Sequence, residues 1–332
     1  SRNFGVKIFM KESDIRDQKR LKKFFSLMKD DSLSLIEDSS NFVDAQYESW
    51  GCGNIEYVFT KWNYDYYRCS NTFNLFVHPR PSLNHLEEFY TNSKSQKYWA
   101  EEFFPPYMEQ RIEKIFKPRA KFIHDKFDFN TIQSIADIGA GFGLFLDELS
   151  LLEPSKKYYA IEPSDKMSKI CSDKGFITIK DFFENIPNNS HQFDLLTSFE
   201  TFEHLQDPKP FVEKAYNLLS ENGVFYLTTL SGTGFDILNL WDDSNSISPP
   251  QHLNFFSPEG IKKLFELIGF KEVIVSTPGK LDWDIFKKQI DDNNHRFFSY
   301  VNKFGTEQSI KGLQKWISEN NFSSHMSVLG IK

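Results

Sequence analysis

The sequence has few cysteines and no long hydrophobic run. Its only thiols are Cys52, Cys69 and Cys171 among 332 residues, too few for a disulfide framework and in agreement with a reducing compartment. No apolar run reaches the ~18 residues that span a bilayer, and the first residues lack the apolar centre and cleavage site of a secretory signal. We therefore expect a cytoplasmic protein that does not insert into membranes.

Basic charge is also in short supply. The 39 lysines and arginines are outnumbered by 46 acidic residues, which gives a net charge of -7, and the basic residues are scattered along the chain. Proteins that bind DNA or RNA usually gather basic residues into a patch or stripe. The composition therefore predicts no nucleic-acid partner, and it gives no indication of the oligomeric state.

The pattern of apolar residues divides the chain into four parts. Residues 1–40 are typical of a solvent-facing helical extension, and residues 41–84 alternate aromatic and β-branched residues as in a small β module. Apolar positions at helical spacing, interrupted by prolines, predict a helical connector over residues 85–130. Residues 131–332 alternate short apolar runs with amphipathic segments, which indicates an α/β domain whose parallel sheet is covered by helices, with a helical insertion near 280–322.

A glycine-rich segment, "ADIGAGFG", lies where the first strand of this domain should turn into its first helix. Gly139, Gly141 and Gly143 allow a tight turn and a close approach of the backbone to a ligand. The dinucleotide fingerprint G-x-G-x-x-G would need a glycine at Leu144. The segment therefore predicts a ligand other than a dinucleotide, or else a plain structural turn.

Two acidic residues accompany the glycine loop. Asp137 precedes it and would repel a pyrophosphate, whereas it suits a cation such as an amino group or a sulfonium. Glu162 ends the second apolar run, where a carboxylate can accept two hydrogen bonds from ribose hydroxyls. The pair favours a positively charged nucleoside.

At this point the chain resembles the class I S-adenosylmethionine-dependent methyltransferases. The segments "ADIGAGFGLFL", "IEPS", "KDFFENIP" and "FDLLTSFETFEHLQDP" are similar to their first four motifs, and the resemblance covers about residues 85 to 332. It implies a Rossmann-like fold with a seven-stranded, mostly parallel sheet whose last strand is antiparallel. It also implies S-adenosyl-L-methionine as the cofactor.

The same resemblance assigns further residues to the cofactor. Asp181 and Phe182 would flank the adenine, and Ser198 and Phe199 would lie under the methionine. Tyr98 resembles an aromatic residue that covers the methionine end in related chains, although it also fits a helix face that fills the core.

The segment "ETFEH" places three polar groups directly after a buried strand. Glu200, Glu203 and His204 are spaced i, i+3 and i+4, so one helical turn would project all three towards the cofactor's methyl group. His204 is the first candidate for a general base, oriented by Glu203, because imidazole titrates near neutral pH. His252, in "PPQHLNFF", is the second candidate.

Other roles for this segment remain open. It is similar to the E-x-x-E-H segment of ubiquinone-biosynthesis O-methyltransferases, where the resemblance implies a divalent metal, and Glu200, Glu203 and His204 are plausible ligands. His204 and His252 are also compatible with purely structural hydrogen bonding. The predicted set of site residues contains no metal ligand.

The β module resembles a zinc ribbon that has lost half of its ligands. Tetrahedral Zn²⁺ needs four ligands, yet Ser49 stands where a partner of Cys52 is expected and Thr72 where a partner of Cys69 is expected. Aromatic packing would then replace the metal, with a residual metal or a disulfide between the two cysteines as alternatives. Similar modules precede bacterial methyltransferases of sugar and surface-polysaccharide biosynthesis.

Three functions follow from these observations. The first is methyl transfer to oxygen or carbon of a small, sugar-like acceptor in surface-glycan biosynthesis. The second is O-methylation of a phenolic or quinone precursor with a divalent metal. The third is a catalytically silent cofactor-binding or scaffold protein, against which the intact acids Asp137 and Glu162 argue.

Overall fold

The structure is a computed structural model that describes residues 17–37, 39–188 and 190–332; the predicted extension before residue 17 lies outside this part. The α-helices in chain order are α1 (Gln18–Ile36), α2 (Leu83–Asn92), α3 (Lys94–Tyr98), α4 (Met108–Arg111), α5 (Lys117–Lys126), α6 (Leu144–Leu152), α7 (Asp165–Asp173), α8 (Pro208–Leu218), α9 (Phe235–Leu240), α10 (Pro258–Ile268), α11 (Asp282–Phe286), α12 (Arg296–Phe304) and α13 (Glu307–Glu319). The β-strands in chain order are β1 (Phe42–Val43), β2 (Ile55–Lys61), β3 (Tyr64–Cys69), β4 (Leu75–Val77), β5 (Arg80–Pro81), β6 (Ser134–Ile138), β7 (Lys157–Ile161), β8 (Ile177–Ile179), β9 (Phe193–Phe199), β10 (Leu219–Leu230), β11 (Asn254–Phe255), β12 (Glu272–Ser276) and β13 (His325–Ile331).

Seven strands form the main sheet, in the order β12-β13-β10-β9-β6-β7-β8. The pairs among β6 to β10 are parallel, whereas β13 runs antiparallel to both of its neighbours. The predicted seven-stranded sheet with an antiparallel last strand is confirmed. The strand order reverses between β6 and β9, and ligands of such sheets bind outside the carboxyl ends at this point.

Helix boundaries follow signals that the sequence carries. Asp207 caps α8 by accepting a hydrogen bond from the Lys209 amide at 3.1 Å. Ser257 caps α10 by accepting from the Gly260 amide at 2.9 Å, and Gly269, with a φ of +117°, caps its C-terminal end. These caps satisfy terminal backbone groups that would otherwise lack partners.

A second, antiparallel sheet has the order β11-β4-β3-β2. Its edge strand β11 comes from the later part of the chain, so the N-terminal module shares a sheet with the segment that follows His252. The predicted domain boundaries remain predictions, but this pairing fixes the module against the α/β domain.

The cysteines of the module are free and buried. The Cys69 thiol donates to Asn71 Oδ1 at 2.8 Å, and the Cys52 sulfur accepts from Asn74 Nδ2 at 3.6 Å. Of the aromatic residues expected to fill the module's core, Phe59, Tyr64, Tyr66 and Phe76 are buried, but Tyr57 and Phe73 are half exposed.

Helix α1 differs from the expected solvent-facing extension. Leu21, Phe24 and Met28 form one buried face, which packs in a cluster with Tyr98 and Phe103 of the connector. Burial of this apolar face explains why the helix forms here.

The segment between β12 and β13 is helical and contains α11, α12 and α13. Within the part of the chain that the structure describes, no helix combines the length and apolarity needed to cross a bilayer.

Candidate active site

The glycine loop between β6 and α6 lies at the carboxyl end of the central strands. Gly139, Gly141 and Gly143 have φ values of +72°, +55° and +70°, in the left-handed region that favours glycine. A Cβ on Gly139 would lie 3.0 Å from Thr201 Oγ1, whereas a Cβ on Gly141 would meet nothing within 4 Å. The loop therefore leaves open space over Gly141, as a cofactor cradle requires.

Asp137 is buried at the end of β6. Its Oδ1 accepts a hydrogen bond from Thr197 Oγ1 at 2.7 Å. Burial raises the pKa of Asp137 to about 7, and the charge of Glu162 adds to this, while Thr197 and Arg119 oppose it. A cation bound beside Asp137 would favour its ionised form.

Glu162 is buried directly after β7 and holds the glycine loop. Its Oε2 accepts from the Gly141 amide and its Oε1 from the Ser164 amide, both at 2.9 Å. Burial raises its pKa. Each carboxylate oxygen has a second lone pair, so Glu162 can accept ribose hydroxyls while it anchors the loop. With Asp137, it fits a nucleoside that carries positive charge and disfavours a phosphate chain.

The proposed adenine residues lie after β8, at the rim of the same edge. Asp181 Oδ1 accepts from the Phe182 amide at 2.7 Å and from Asn185 Nδ2 at 2.8 Å. Phe182 is partly exposed, whereas Phe183 is buried. Phe182 is thus available to a ligand, and its role remains a prediction.

The residues predicted to lie near the cofactor's methionine have different surroundings. Ser198 is buried and donates to the Ile138 carbonyl at 3.3 Å. Phe199 packs against Phe145, with ring centroids 4.7 Å apart. Tyr98 lies in the apolar cluster with α1, so its contact with the cofactor remains a prediction.

Sequence reasoning did not single out two connector residues, Phe104 and Arg119, whose side chains approach the glycine loop and the end of β9. Phe104 stacks on Phe142 of the glycine loop at 5.3 Å. The Arg119 guanidinium lies 4.0 Å from the Phe199 ring centre and 3.9 Å from Glu200 Oε1. Both lie in a segment with many similar aromatic and basic residues, so the sequence carried no signal that distinguished them.

Glu200 and Glu203 do not project from one face, contrary to the expectation from their spacing. Glu200 has a φ of +53°, and the following 3-10 turn covers only Phe202–His204. Glu200 Oε1 accepts from Thr228 Oγ1 at 2.6 Å, whereas Glu203 Oε2 accepts from Thr229 Oγ1 at 2.8 Å. Successive strand residues point to opposite faces, so the two carboxylates are anchored on opposite faces of β10.

Glu203 instead meets His204 and His252. One ligand atom from each of these residues lies within 4.8 Å of the other two. The imidazole centroids of His204 and His252 are 4.9 Å apart, and His204 Nε2 lies 4.0 Å from Glu203 Oε1. Among the described residues, these three side chains form the one cluster of this kind.

Backbone carbonyls orient both imidazoles. His204 Nδ1 lies 2.8 Å from the Gln251 carbonyl oxygen, and His252 Nδ1 lies 2.7 Å from the Ser246 carbonyl oxygen. A carbonyl accepts only, so each Nδ1 carries the proton and donates it. Nε2 of a neutral imidazole in this orientation keeps its lone pair, which is the arrangement found where hydrogen bonds orient metal-binding histidines.

Burial shifts the pKa values of Glu203 and His204 in opposite directions. Burial raises the pKa of Glu203 to about 8, and the charge of Glu200 adds to this. Burial, together with His252, lowers the pKa of His204 to about 3. His204 therefore stays neutral near pH 7, which does not support the expectation that it titrates there as a general base.

The chain matches the family described as "Methyltransferase domain" over residues 102–275, just over half of its length. A mitochondrial ubiquinone biosynthesis O-methyltransferase of Dictyostelium discoideum is 26% identical over 136 residues, which cover 35% of this chain and 42% of that protein. A ubiquinone biosynthesis O-methyltransferase of Glaesserella parasuis is 24% identical over 126 residues, which cover 35% of this chain and 52% of that protein. The match thus spans about half the length of these relatives.

Solved methyltransferase structures are also similar to this chain. One from Archaeoglobus fulgidus has a TM-score of 0.46 and 19% identity, covering 68% of this chain and 98% of that one. A plantazolicin methyltransferase in complex with SAH has a TM-score of 0.48 and 14% identity, covering 74% of this chain and 93% of that one. On the family match, together with the sheet order and the glycine loop, the chain belongs to the class I S-adenosylmethionine-dependent methyltransferases.

Proposed function

We propose that the protein transfers a methyl group from S-adenosylmethionine to a hydroxyl oxygen of a small acceptor with two neighbouring hydroxyls. The observation that carries this proposal is the cluster of Glu203, His204 and His252 at the carboxyl end of the sheet. Its donor set, one carboxylate and two imidazoles, suits a divalent transition metal. Two neighbouring hydroxyls are a natural chelating group for such an ion.

The glycine loop and its acids provide the cofactor site. S-adenosylmethionine supplies a methyl group on a positively charged sulfur. Asp137 complements positive charge, Glu162 accepts the ribose hydroxyls, and the space over Gly141 admits the nucleoside. Methyl transfer depends chiefly on alignment of the two reactants, and these residues fix one of them.

The cluster serves the acceptor. A divalent cation held by Glu203, His204 and His252 would lower the pKa of a coordinated hydroxyl. The two imidazoles would bind such a cation through Nε2, since each Nδ1 is held by a backbone carbonyl. Glu203 would be the anionic ligand, because a bound cation favours its ionised form, and the acidified hydroxyl would release its proton to water.

Two acceptor classes carry the required pair of hydroxyls. The names of the ubiquinone-biosynthesis relatives support an aromatic diol. The resemblance of the N-terminal module to modules of sugar-modifying methyltransferases supports a sugar diol. Both would present neighbouring oxygens to the same cluster.

The test is a transfer assay with isotope-labelled S-adenosylmethionine on chelator-treated protein, with and without Mn²⁺ or Co²⁺. Catechol and a nucleoside-diphosphate sugar with free neighbouring hydroxyls are the acceptor probes, each with a mono-hydroxylated analogue as its control. We expect metal-dependent O-methylation of one diol class and little of its analogue. Methylation that is equally fast with and without metal, and with the diol and its mono-hydroxylated analogue, would overturn the proposal. Cofactor binding without transfer to any acceptor would favour the silent scaffold.

A further inference from the structure

Arg80 is a charged side chain with no exposed surface. It donates most of its hydrogen bonds to loops of the methyltransferase domain. Its Nε donates to the Val77 carbonyl at 3.0 Å within its own module. Its Nη1 donates to the Gln206 carbonyl and to Asn254 Oδ1, both at 2.8 Å. Its Nη2 lies 3.5 Å from the Leu253 carbonyl oxygen. One guanidinium thus connects three separate segments.

Two of these segments are the loops that carry the cluster. Residues 200–207 hold Glu203 and His204, and residues 246–254 hold His252. The loops also contact each other, because the Leu253 amide donates to the Glu203 carbonyl at 2.8 Å. The distance between His204 and His252 therefore depends on how these loops are fixed.

Further bonds from the N-terminal module reach the same loops. Trp50 Nε1 donates to Asp207 Oδ1 at 2.8 Å, and its ring lies 5.1 Å from the Arg80 guanidinium. Tyr66, in the middle of β3, donates its hydroxyl to the His252 carbonyl at 3.1 Å. The module holds the backbone of the cluster from outside the α/β domain.

We propose that Arg80 is a positioning residue that fixes the His252 loop relative to the Glu203 and His204 loop, so that the N-terminal module is part of the active site. The role of the cluster rests on the proposed function, whereas the placement of its imidazoles does not. The module, which resembles a zinc ribbon without its full set of ligands, would then serve through the bonds it makes to these loops.

The chemistry of Arg80 favours positioning over simple packing. A buried charge costs several kcal/mol unless it is fully hydrogen-bonded, and an apolar side chain could fill the same volume. Burial lowers the pKa of Arg80 to about 9, so the group is charged at neutral pH. Its planar fork can bind carbonyls of both loops at once, which a lysine ammonium does less well.

The test compares Arg80→Lys and Arg80→Met with a matched pair of tyrosine variants. Tyr66→Phe removes the hydroxyl bonded to His252. Tyr64→Phe is the control, because Tyr64 is buried in the same strand and donates its hydroxyl to the Ser32 carbonyl of α1 at 3.2 Å. Both phenylalanine variants lose one hydrogen bond to a backbone carbonyl, and only one of these bonds reaches the cluster.

The first readout is the imidazole nitrogen NMR spectrum of His204 and His252, assigned with His204→Gln and His252→Gln. We expect the Nδ1–H tautomer for both in the unmodified protein. Arg80→Met and Tyr66→Phe should shift or mix these signals, Arg80→Lys should give a smaller change, and Tyr64→Phe should leave them in place. Unchanged imidazole signals in both the Arg80 and Tyr66 variants would overturn the proposal.

The second readout is affinity for Co²⁺, followed by its visible absorption, beside affinity for S-adenosylhomocysteine. Loss of a hydrogen bond that orients a metal ligand typically weakens metal binding by about 10- to 100-fold, so we expect a loss of up to this order for Arg80→Met and unchanged cofactor affinity. If Arg80→Met does not fold, Tyr66→Phe still decides the question. If the unmodified protein binds no Co²⁺ while the imidazole signals respond as expected, the metal part of the proposed function fails and the positioning role stands.

Discussion

At the scale of single residues, Asp137 is an acid whose pKa lies close to neutral pH. Burial raises this pKa to about 7, so part of the cofactor-free protein carries a neutral carboxyl at neutral pH. A cationic ligand needs the ionised form. We expect the affinity for S-adenosylmethionine to rise as the pH increases from about 6 to about 7.5, where Asp137 loses its proton.

Calorimetric titration across this pH range checks the expectation. Asp137→Asn should lower the affinity by about tenfold or more, because a charge-assisted interaction is lost, and should flatten its pH dependence. Asp236→Asn is the matched control, since burial and Asp282 also raise the pKa of Asp236 to about 7 and Asp236 lies in α9, outside the glycine loop. An equal loss of pH dependence in both variants would contradict the assignment.

Glu203 and Glu200 allow a second comparison between single residues. Glu203 lies in the cluster with two imidazoles, whereas Glu200 accepts from Thr228 and faces Arg119. Glu203→Gln should reduce Co²⁺ affinity by about 10-fold or more, since it removes the anionic ligand. Glu200→Gln should change it much less, and Co²⁺ titrations of the two variants measure this difference. A larger effect at Glu200 would instead support the ligand set expected from the sequence spacing, which includes Glu200.

At the scale of elements, the loop after β9 shows where sequence reasoning fails. Spacing of i, i+3 and i+4 predicts one shared face only if the segment is helical from Glu200 onward. The left-handed backbone at Glu200 and the short 3-10 turn from Phe202 turn its side chain away from Glu203. Such a conformation is set by the neighbouring strand β10, and no local pattern in "SFETFEH" reports it.

The glycine loop is the element whose sequence signal was sufficient. Its three glycines predicted the turn, because a left-handed backbone is a local property. The binding of the cofactor by Asp137 and Glu162 remains a prediction. Arg80 is the opposite case. Its partner Asn254 is 174 residues away in the sequence, and "HPRPS" gives no sign that the arginine is buried or what it contacts.

Gly141 and Gly175 form a natural pair for testing the cradle. Both have positive φ values, and a Cβ on either would meet nothing within 4 Å. Alanine at each position should cost about 1 kcal/mol of unfolding free energy through backbone strain alone. Only Gly141→Ala should also weaken S-adenosylhomocysteine binding, by about tenfold or more if the ligand occupies that space. Urea unfolding and calorimetric titration of both variants provide the two measurements, and equal cofactor affinities would place the ligand elsewhere.

At the scale of the whole molecule, the sheet order brings the separate sites to one edge of the main sheet. The carboxyl ends of β6, β7 and β9 bring Asp137, Glu162 and the Glu203 loop to the same edge. β11 pairs with β4, which brings His252 and the N-terminal module to that edge as well. The alternation of strands and helices made the arrangement of β6, β7 and β9 predictable. The pairing of β11 with β4, from a distant part of the chain, was not predictable.

The burial of Asp137, Asp236 and Glu203 has a consequence for stability. Asp137 and Asp236 have pKa values raised to about 7 and Glu203 to about 8. The folded protein therefore holds protons that the unfolded chain has already released, and its unfolding free energy should fall as the pH rises through these values. His204, with its pKa lowered to about 3, acts in the opposite direction, but only below its unfolded value of about 6.5.

The decline should thus run from about pH 5 to about pH 8, with His204 opposing it below about pH 6.5, and should flatten as each carboxyl passes its folded-state pKa. Urea unfolding across this range should show falling stability in the unmodified protein and a shallower slope in Asp137→Asn and Asp236→Asn. Saturating S-adenosylmethionine should raise the unfolding free energy most at the upper end of the range, because it favours ionised Asp137 and binds only the folded state. Asp236→Asn should keep this increase and Asp137→Asn should lose it. A stability that rises across the range, or a ligand effect that ignores Asp137, would show that the buried carboxyl does not receive the cofactor's positive charge.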